Sequence, residues 1–112
     1  MIEALERYLI KNWLVNITRK TLPGRDSLKR VSVNVPDIEG VTPFLGQPVF
    51  GAAEECDTYA MRDATARLDE FSKVRNAAVF LVVPAECYIP AKSYVQSNLP
   101  GRNITVLPYG KR

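Results

Sequence analysis

Residues 77–83 read Ala-Ala-Val-Phe-Leu-Val-Val, an apolar run rich in β-branched and aromatic side chains and stopped by Pro84. The run is too short to span a membrane and too unbroken for a strand with one wet face. It predicts a strand buried on both faces, which needs helices packed above and below it. The periodicity predicts a long helix over 52–73 before this strand and a short one from Pro90 to Asn98 after it. On the long helix, Cys56, Ala60, Ala64, Leu68 and Phe71 form one stripe, with Glu54, Glu55 and Asp57 at its start. Asp63–Arg67 and Asp69–Lys73 have the i,i+4 spacing of favourable ion pairs. Pro90 suits the first turn of the second helix. Residues 103–107 predict a last strand, and Pro108 to Arg112 a basic tail.

Earlier in the chain, Ile2, Leu5, Leu9 and Trp13 recur at helical spacing, with Glu3, Glu6, Arg7 and Lys11 on the other side. They predict an amphipathic helix over 2–15. Residues 16–22 favour a strand, and Pro23-Gly24 starts a strong turn signal. Val31, Val33 and Val35 alternate with Arg30, Ser32 and Asn34, the pattern of a half-exposed strand, so the two strands predict a hairpin. Between 36 and 51 three prolines and three glycines interrupt the pattern. That stretch predicts a structured loop with a short strand near 40–44. The fold expectation is α/β (or α+β): one domain over 1–112 with a mixed sheet of about four or five strands. Its element order is α-β-β-(β)-α-β-α-β.

Composition narrows the function classes. The chain has 112 residues, 46% of them hydrophobic and 24% charged, which suits a single globular domain with a real core. No apolar run reaches the length of a spanning helix, and the acidic N-terminal residues Glu3 and Glu6 do not resemble a signal peptide. The expectation is a cytoplasmic protein with no membrane partner. Cys56 and Cys87 are far apart and lack any metal-like spacing, so they read as two reduced, partly buried thiols. Two Asn-x-Thr triplets, at Asn16 and Asn103, carry no weight without secretion.

Histidine is absent. Its absence removes Ser-His-Asp and Cys-His catalysis, the usual neutral-pH general base and most transition-metal sites. No glycine pattern matches a phosphate- or dinucleotide-binding loop, and no cofactor is expected. Net charge is +3, unevenly spread: +4 over 1–35, −5 over 36–73 and +4 over 74–112. Basic ends with an acidic middle allow a basic face, internal neutralisation or self-association. Arg19, Lys20, Arg25, Lys29 and Arg30 fall on the expected hairpin and are the candidate nucleic-acid contacts. Asp37 and Glu39, in the Pro/Gly stretch, are the candidate pair for Mg²⁺ or Ca²⁺. Tyr88, Tyr94 and Tyr109 are candidate interface residues.

The element order resembles that of the restriction-endonuclease-like nucleases. Those enzymes place an Asp, often after Pro, at the end of one strand and a Glu-x-Lys or Asp-x-Lys on the next. The carboxylates bind Mg²⁺ and the lysine helps position the water. Here Pro36-Asp37 matches the first motif and Glu6 could stand for the accessory acid. No Asp or Glu in the chain has a lysine two residues later. The resemblance therefore implies an inactive relative. The main expectation is a small non-catalytic binding or assembly domain, possibly homodimeric, partnered by itself or another protein. The alternative is a nucleic-acid-associated protein on a degenerate scaffold of this nuclease kind.

Overall fold

The computed structural model of the chain describes residues 2–13, 15–20, 37–43 and 45–110. In order, the elements are α1 (Ile2–Trp13), β1 (Asn16–Lys20), β2 (Ile38–Val41), β3 (Pro48–Ala53), α2 (Arg62–Ser72), β4 (Ala78–Pro84), α3 (Tyr88–Asn98) and β5 (Ile104–Tyr109). A single 3₁₀ turn, Ala85–Cys87, joins β4 to α3. The five strands form one mixed sheet in sequential order. β1, β2 and β3 are antiparallel neighbours, and β3, β4 and β5 are parallel. This is the expected α/β fold with the expected element order.

β4 is buried along its length up to Pro84, and its alternation decides the layers. Val79, Leu81 and Val83 pack with Leu68 and Phe71 of α2 and with Ala91 and Val95 of α3. Ala78, Phe80 and Val82 face Leu5 and Leu9 of α1. Both parallel connections move the same way along the sheet. Because such crossovers are almost always right-handed, α2 and α3 belong on one face and α1 on the other. Aromatic contacts mark both layers. Tyr8 and Trp13 meet Phe80 edge-on, with centroids 6.1 and 5.2 Å away, and Phe50 stacks on Phe71 at 5.2 Å.

Three expectations change. Among the described residues of 36–51, where a loop with one short strand near 40–44 was expected, the chain forms β2 and most of β3. These short strands show no clear hydrophobic period because glycines stand where a side chain would fit poorly. A Cβ on Gly40 would lie 2.6 Å from the Asn16 carbonyl oxygen and 2.6 Å from Val15 Cγ1. Second, the helix over 52–73 starts ten residues later, at Arg62, because Ala52 and Ala53 finish β3 against Leu81 and Val82. Cys56, Ala60 and Met61 thus leave the predicted stripe, and Ala64, Arg67, Leu68 and Phe71 form the buried one. Third, β5 continues through Pro108 to Tyr109, where a tail was expected; proline is tolerated because β5 is an edge strand. The predicted strand over 31–35, and with it the hairpin, lies outside the described residues. Among the described residues no helix is long and apolar enough to cross a membrane.

Gly40 and Gly51 give a paired test of the close packing. Gly40→Ala has to push a backbone oxygen, whereas a Cβ at Gly51 meets the movable end of Leu5, Cδ2 at 2.7 Å. Urea unfolding is expected to show a loss of about 1–3 kcal/mol for Gly40→Ala and a smaller loss for Gly51→Ala.

Candidate functional site

In a parallel α/β sheet, polar groups gather beyond the carboxyl ends of the strands. Here β3 ends beside the start of β2, because those two strands are antiparallel. Asp37 precedes β2, and its backbone N–H donates to the Gly51 carbonyl at 2.9 Å. This bond aims the Asp37 side chain at the end of β3, where Oδ2 accepts the Ala53 N–H at 2.8 Å. Glu54 follows at once, its N–H donating to the Val82 carbonyl at 3.0 Å, which carries the β3–β4 ladder one residue further.

Arg67 joins these two carboxylates. It lies on the buried stripe of α2, one helical turn after Ala64 and one before Phe71. Its Nη2 donates to Glu54 Oε2 at 2.7 Å and sits 3.5 Å from Asp37 Oδ2. Arg67 is 6% exposed and Asp37 7%. Burying a guanidinium and two carboxylates is costly unless they pair with good geometry. Among the described residues no buried side-chain nitrogen or oxygen lacks a partner. The cluster closes chemically: the carboxylates that could hold a cation already hold one of their own.

The next turn, 55–61, is folded around Thr58. Glu55 N–H donates to Thr58 Oγ1 at 2.8 Å, and the Thr58 and Tyr59 N–H groups both return to the Glu55 carbonyl. Tyr94 of α3 ties the turn down. Its hydroxyl donates to the Ala60 carbonyl at 3.2 Å and shares a 2.8 Å hydrogen bond with Thr65 Oγ1, while its ring meets Tyr59 edge-on. A Cys56–Cys87 disulfide makes the third tie, with Cα atoms 5.7 Å apart. This corrects the expectation of two free thiols. Cys56 never joins the helix. The turn that replaces the helix start carries it to the 3₁₀ turn after β4. Cross-linking across a sequence separation of 31 restricts the unfolded chain, an effect of about 3–4 kcal/mol in the chain-entropy account.

The predicted site residues are scattered relative to this cluster. Asp37 is at its centre. Glu39 is half-buried in β2, paired in register with Phe50 and Arg19. Among the described residues no group of three or more His, Cys, Asp and Glu could hold a metal ion. Arg19 and Lys20 belong to β1, at one edge of the sheet among the described residues, and Arg25, Lys29 and Arg30 lie outside the described residues. Sequence reasoning missed Glu54 and Arg67. The available signal was Arg67 itself, a charge at a core position between Ala64 and Phe71, read instead as an i,i+4 partner of Asp63.

The opposite end of the sheet carries an open groove of about 840 Å³, lined among others by Gln47, Arg75, Asn76, Arg102 and Asn103. Its chemistry is largely spoken for. Arg102 Nη1 pairs with Asp69 Oδ1 at 2.8 Å and Ser72 Oγ at 2.7 Å, and Lys73 Nζ reaches Asp69 Oδ2 at 3.2 Å. These cations also suit the negative end of α2. No family model, no curated protein and no solved structure is significantly similar to this chain.

Two predictions follow from these charges. Arg67→Met leaves two carboxylates buried beside an apolar group and is expected to cost about 3–5 kcal/mol by urea unfolding. Adding Asp37→Asn and Glu54→Gln removes the stranded charges and is expected to restore most of it. Asp69 gives the pH test, since the Lys73 ammonium and then the Arg102 guanidinium hold its carboxyl below its usual range. A lowered folded pKa stabilises above the unfolded value and loses that stability as pH falls through the folded one. The stability advantage of the native chain over Asp69→Asn is therefore expected near pH 7, shrinking below about pH 4 and in high salt.

Proposed function

We propose that this chain is a small non-catalytic binding and assembly module that associates with a second copy of itself. The observation that carries the reading is the Arg67 guanidinium, which occupies the space between Asp37 and Glu54. A hydrolytic centre of the resembled kind needs carboxylates open to a divalent cation, and a cation positioned to help water attack. Here the carboxylates are engaged by a fixed side chain, and the chain has no histidine to act as a base. Association has apolar material to use: on α1, Ile10 is 48% exposed, and Trp13, although its ring meets Phe80, is 39% exposed.

A second reading, a nucleic-acid-associated protein on a degenerate nuclease-like scaffold, is favoured by one observation. Asp37, which follows Pro36 as in the first motif, lies just before β2 with its carboxylate at the end of β3, and Arg67 brings it together with Glu54 into a pair of acids. In that reading Arg67 stands near the place of the lysine that the sequence lacks, but bonded to the acids.

Light scattering at low and high salt separates the readings. The assembly proposal expects twice the chain mass at both salts, unchanged by a mixed oligonucleotide. A monomer whose mass rises with oligonucleotide at low salt only would transfer the case to the second reading. Plasmid nicking that requires Mg²⁺ and disappears in Asp37→Ala would overturn the non-catalytic assignment.

A further inference from the structure

We propose that the Cys56–Cys87 disulfide is a reversible lock on the 55–61 turn, opened by a dithiol reductant that attacks the Cys56 sulfur. The two ends of the bond differ. Cys56 is exposed, in the turn after β3, whereas Cys87 is buried and occupies the N-cap of α3, an eleven-residue helix. An incoming thiolate therefore has a path to Cys56 Sγ and little to Cys87 Sγ. The α3 dipole favours the Cys87 thiolate as it leaves while its burial among apolar side chains opposes it, so the accessibility of Cys56 sets the direction. Once protonated, the Cys87 thiol has an acceptor in the Pro84 carbonyl, 3.4 Å from its sulfur.

The exchange balances in two steps. In the first, one thiolate of the dithiol bonds to Cys56 Sγ, the Cys56–Cys87 bond breaks, and Cys87 leaves as a thiolate. In the second, the other thiolate of the reductant attacks its own sulfur in the mixed disulfide and releases Cys56. The reductant ends as a cyclic disulfide, having given two electrons and two protons to the cysteines. The consequence is local. The turn keeps its Thr58 hydrogen bonds and its contacts with Tyr94, but loses its covalent tie to α3. Glu54 stands immediately before that turn, so loosening it frees the polypeptide that holds the partner of Arg67. Exposed Glu55 and Asp57 flank Cys56 in the chain and disfavour a reductant that carries negative charge beyond its attacking thiolate.

The proposal stands apart from the assembly reading and is tested without it. The native chain is treated with 2-mercaptoethanol, quenched with iodoacetamide and mapped by peptide mass. The expected product carries the mercaptoethanol adduct on Cys56 and the alkyl group on Cys87, in about tenfold excess over the reverse. Equal products, or an adduct mainly on Cys87, would overturn the assigned direction. Hydrogen exchange reads the consequence. After dithiothreitol, amides over 55–61 are expected to exchange about tenfold faster while those of β4 stay protected. The Cys56→Ser/Cys87→Ser double variant is expected to match that reduced pattern without any thiol. Unchanged exchange over 55–61, or loss of protection throughout β4, would refute the lock.

Discussion

A strand with no polar residue to turn toward water constrains everything around it. β4 must be covered on both faces, and the chain provides that cover asymmetrically. Two helices lie over Val79, Leu81 and Val83, and one lies over Ala78, Phe80 and Val82. The asymmetry follows from connectivity. Two successive parallel crossovers of one hand put α2 and α3 together, leaving α1 to cover the other face from the N-terminal end of the chain. Phe80, fully buried yet met edge-on by Tyr8 and Trp13, shows how the single helix closes its side with bulk.

The buried charge cluster is the polar counterpart of that core. Arg67 connects α2 to the end of β3 and the start of β2, three elements that the apolar layers alone would leave free to slide. An apolar stripe on a helix tolerates small shifts along its axis, whereas a guanidinium bonded to two carboxylates has one satisfactory position. The cluster's role in the register of α2 explains why a charge occupies a core position. The same bonds consume the acids that a hydrolytic reading would require. One interaction thus ties three elements of the fold together and occupies both carboxylates.

The parts of the fold legible in the sequence were those with an unambiguous period. The run before Pro84, the stripe of α1 and the short strand-favouring segment over 103–107 were each read as the elements they form. β3 was not legible. Val49, Phe50, Ala52 and Ala53 surround Gly51, and this short apolar run joins a segment with helical spacing, so alanines that finish a strand read equally well as the start of a helix. That single misplacement propagated. It put Cys56 on a helix face, away from Cys87, and it left Glu54 in a first turn where acids are ordinary. Arg67 was hidden for a related reason: Asp63 stood four residues away and offered a conventional surface pair. Asp37 was singled out for another role, as a cation-binding partner of Glu39, because its bond to Arg67 joins residues 30 apart and leaves no local pattern.

The two ends of the parallel strands have opposite characters, and the difference follows from helix direction. At the carboxyl ends, α2 and α3 present their N-termini, and the chain places there Glu54, Glu55, Asp57, Asp63 and Glu86. At the amino ends the helices finish, and Lys73 and Arg102 gather around Asp69. Each set complements the helix dipoles it meets. The uneven charge along the sequence therefore has an internal structural cause, and a basic binding face is not needed to account for it in these elements. What the dipoles do not explain is the covalent tie at the acidic end. Thr58 and Tyr94 already hold that turn by hydrogen bonds and ring contact, so the disulfide adds restraint where noncovalent contacts are in place. A bond that adds to hydrogen bonds and a ring contact on the same turn, with Cys56 exposed and Cys87 at the N-cap of α3, is suited to being broken without unfolding the sheet beneath it.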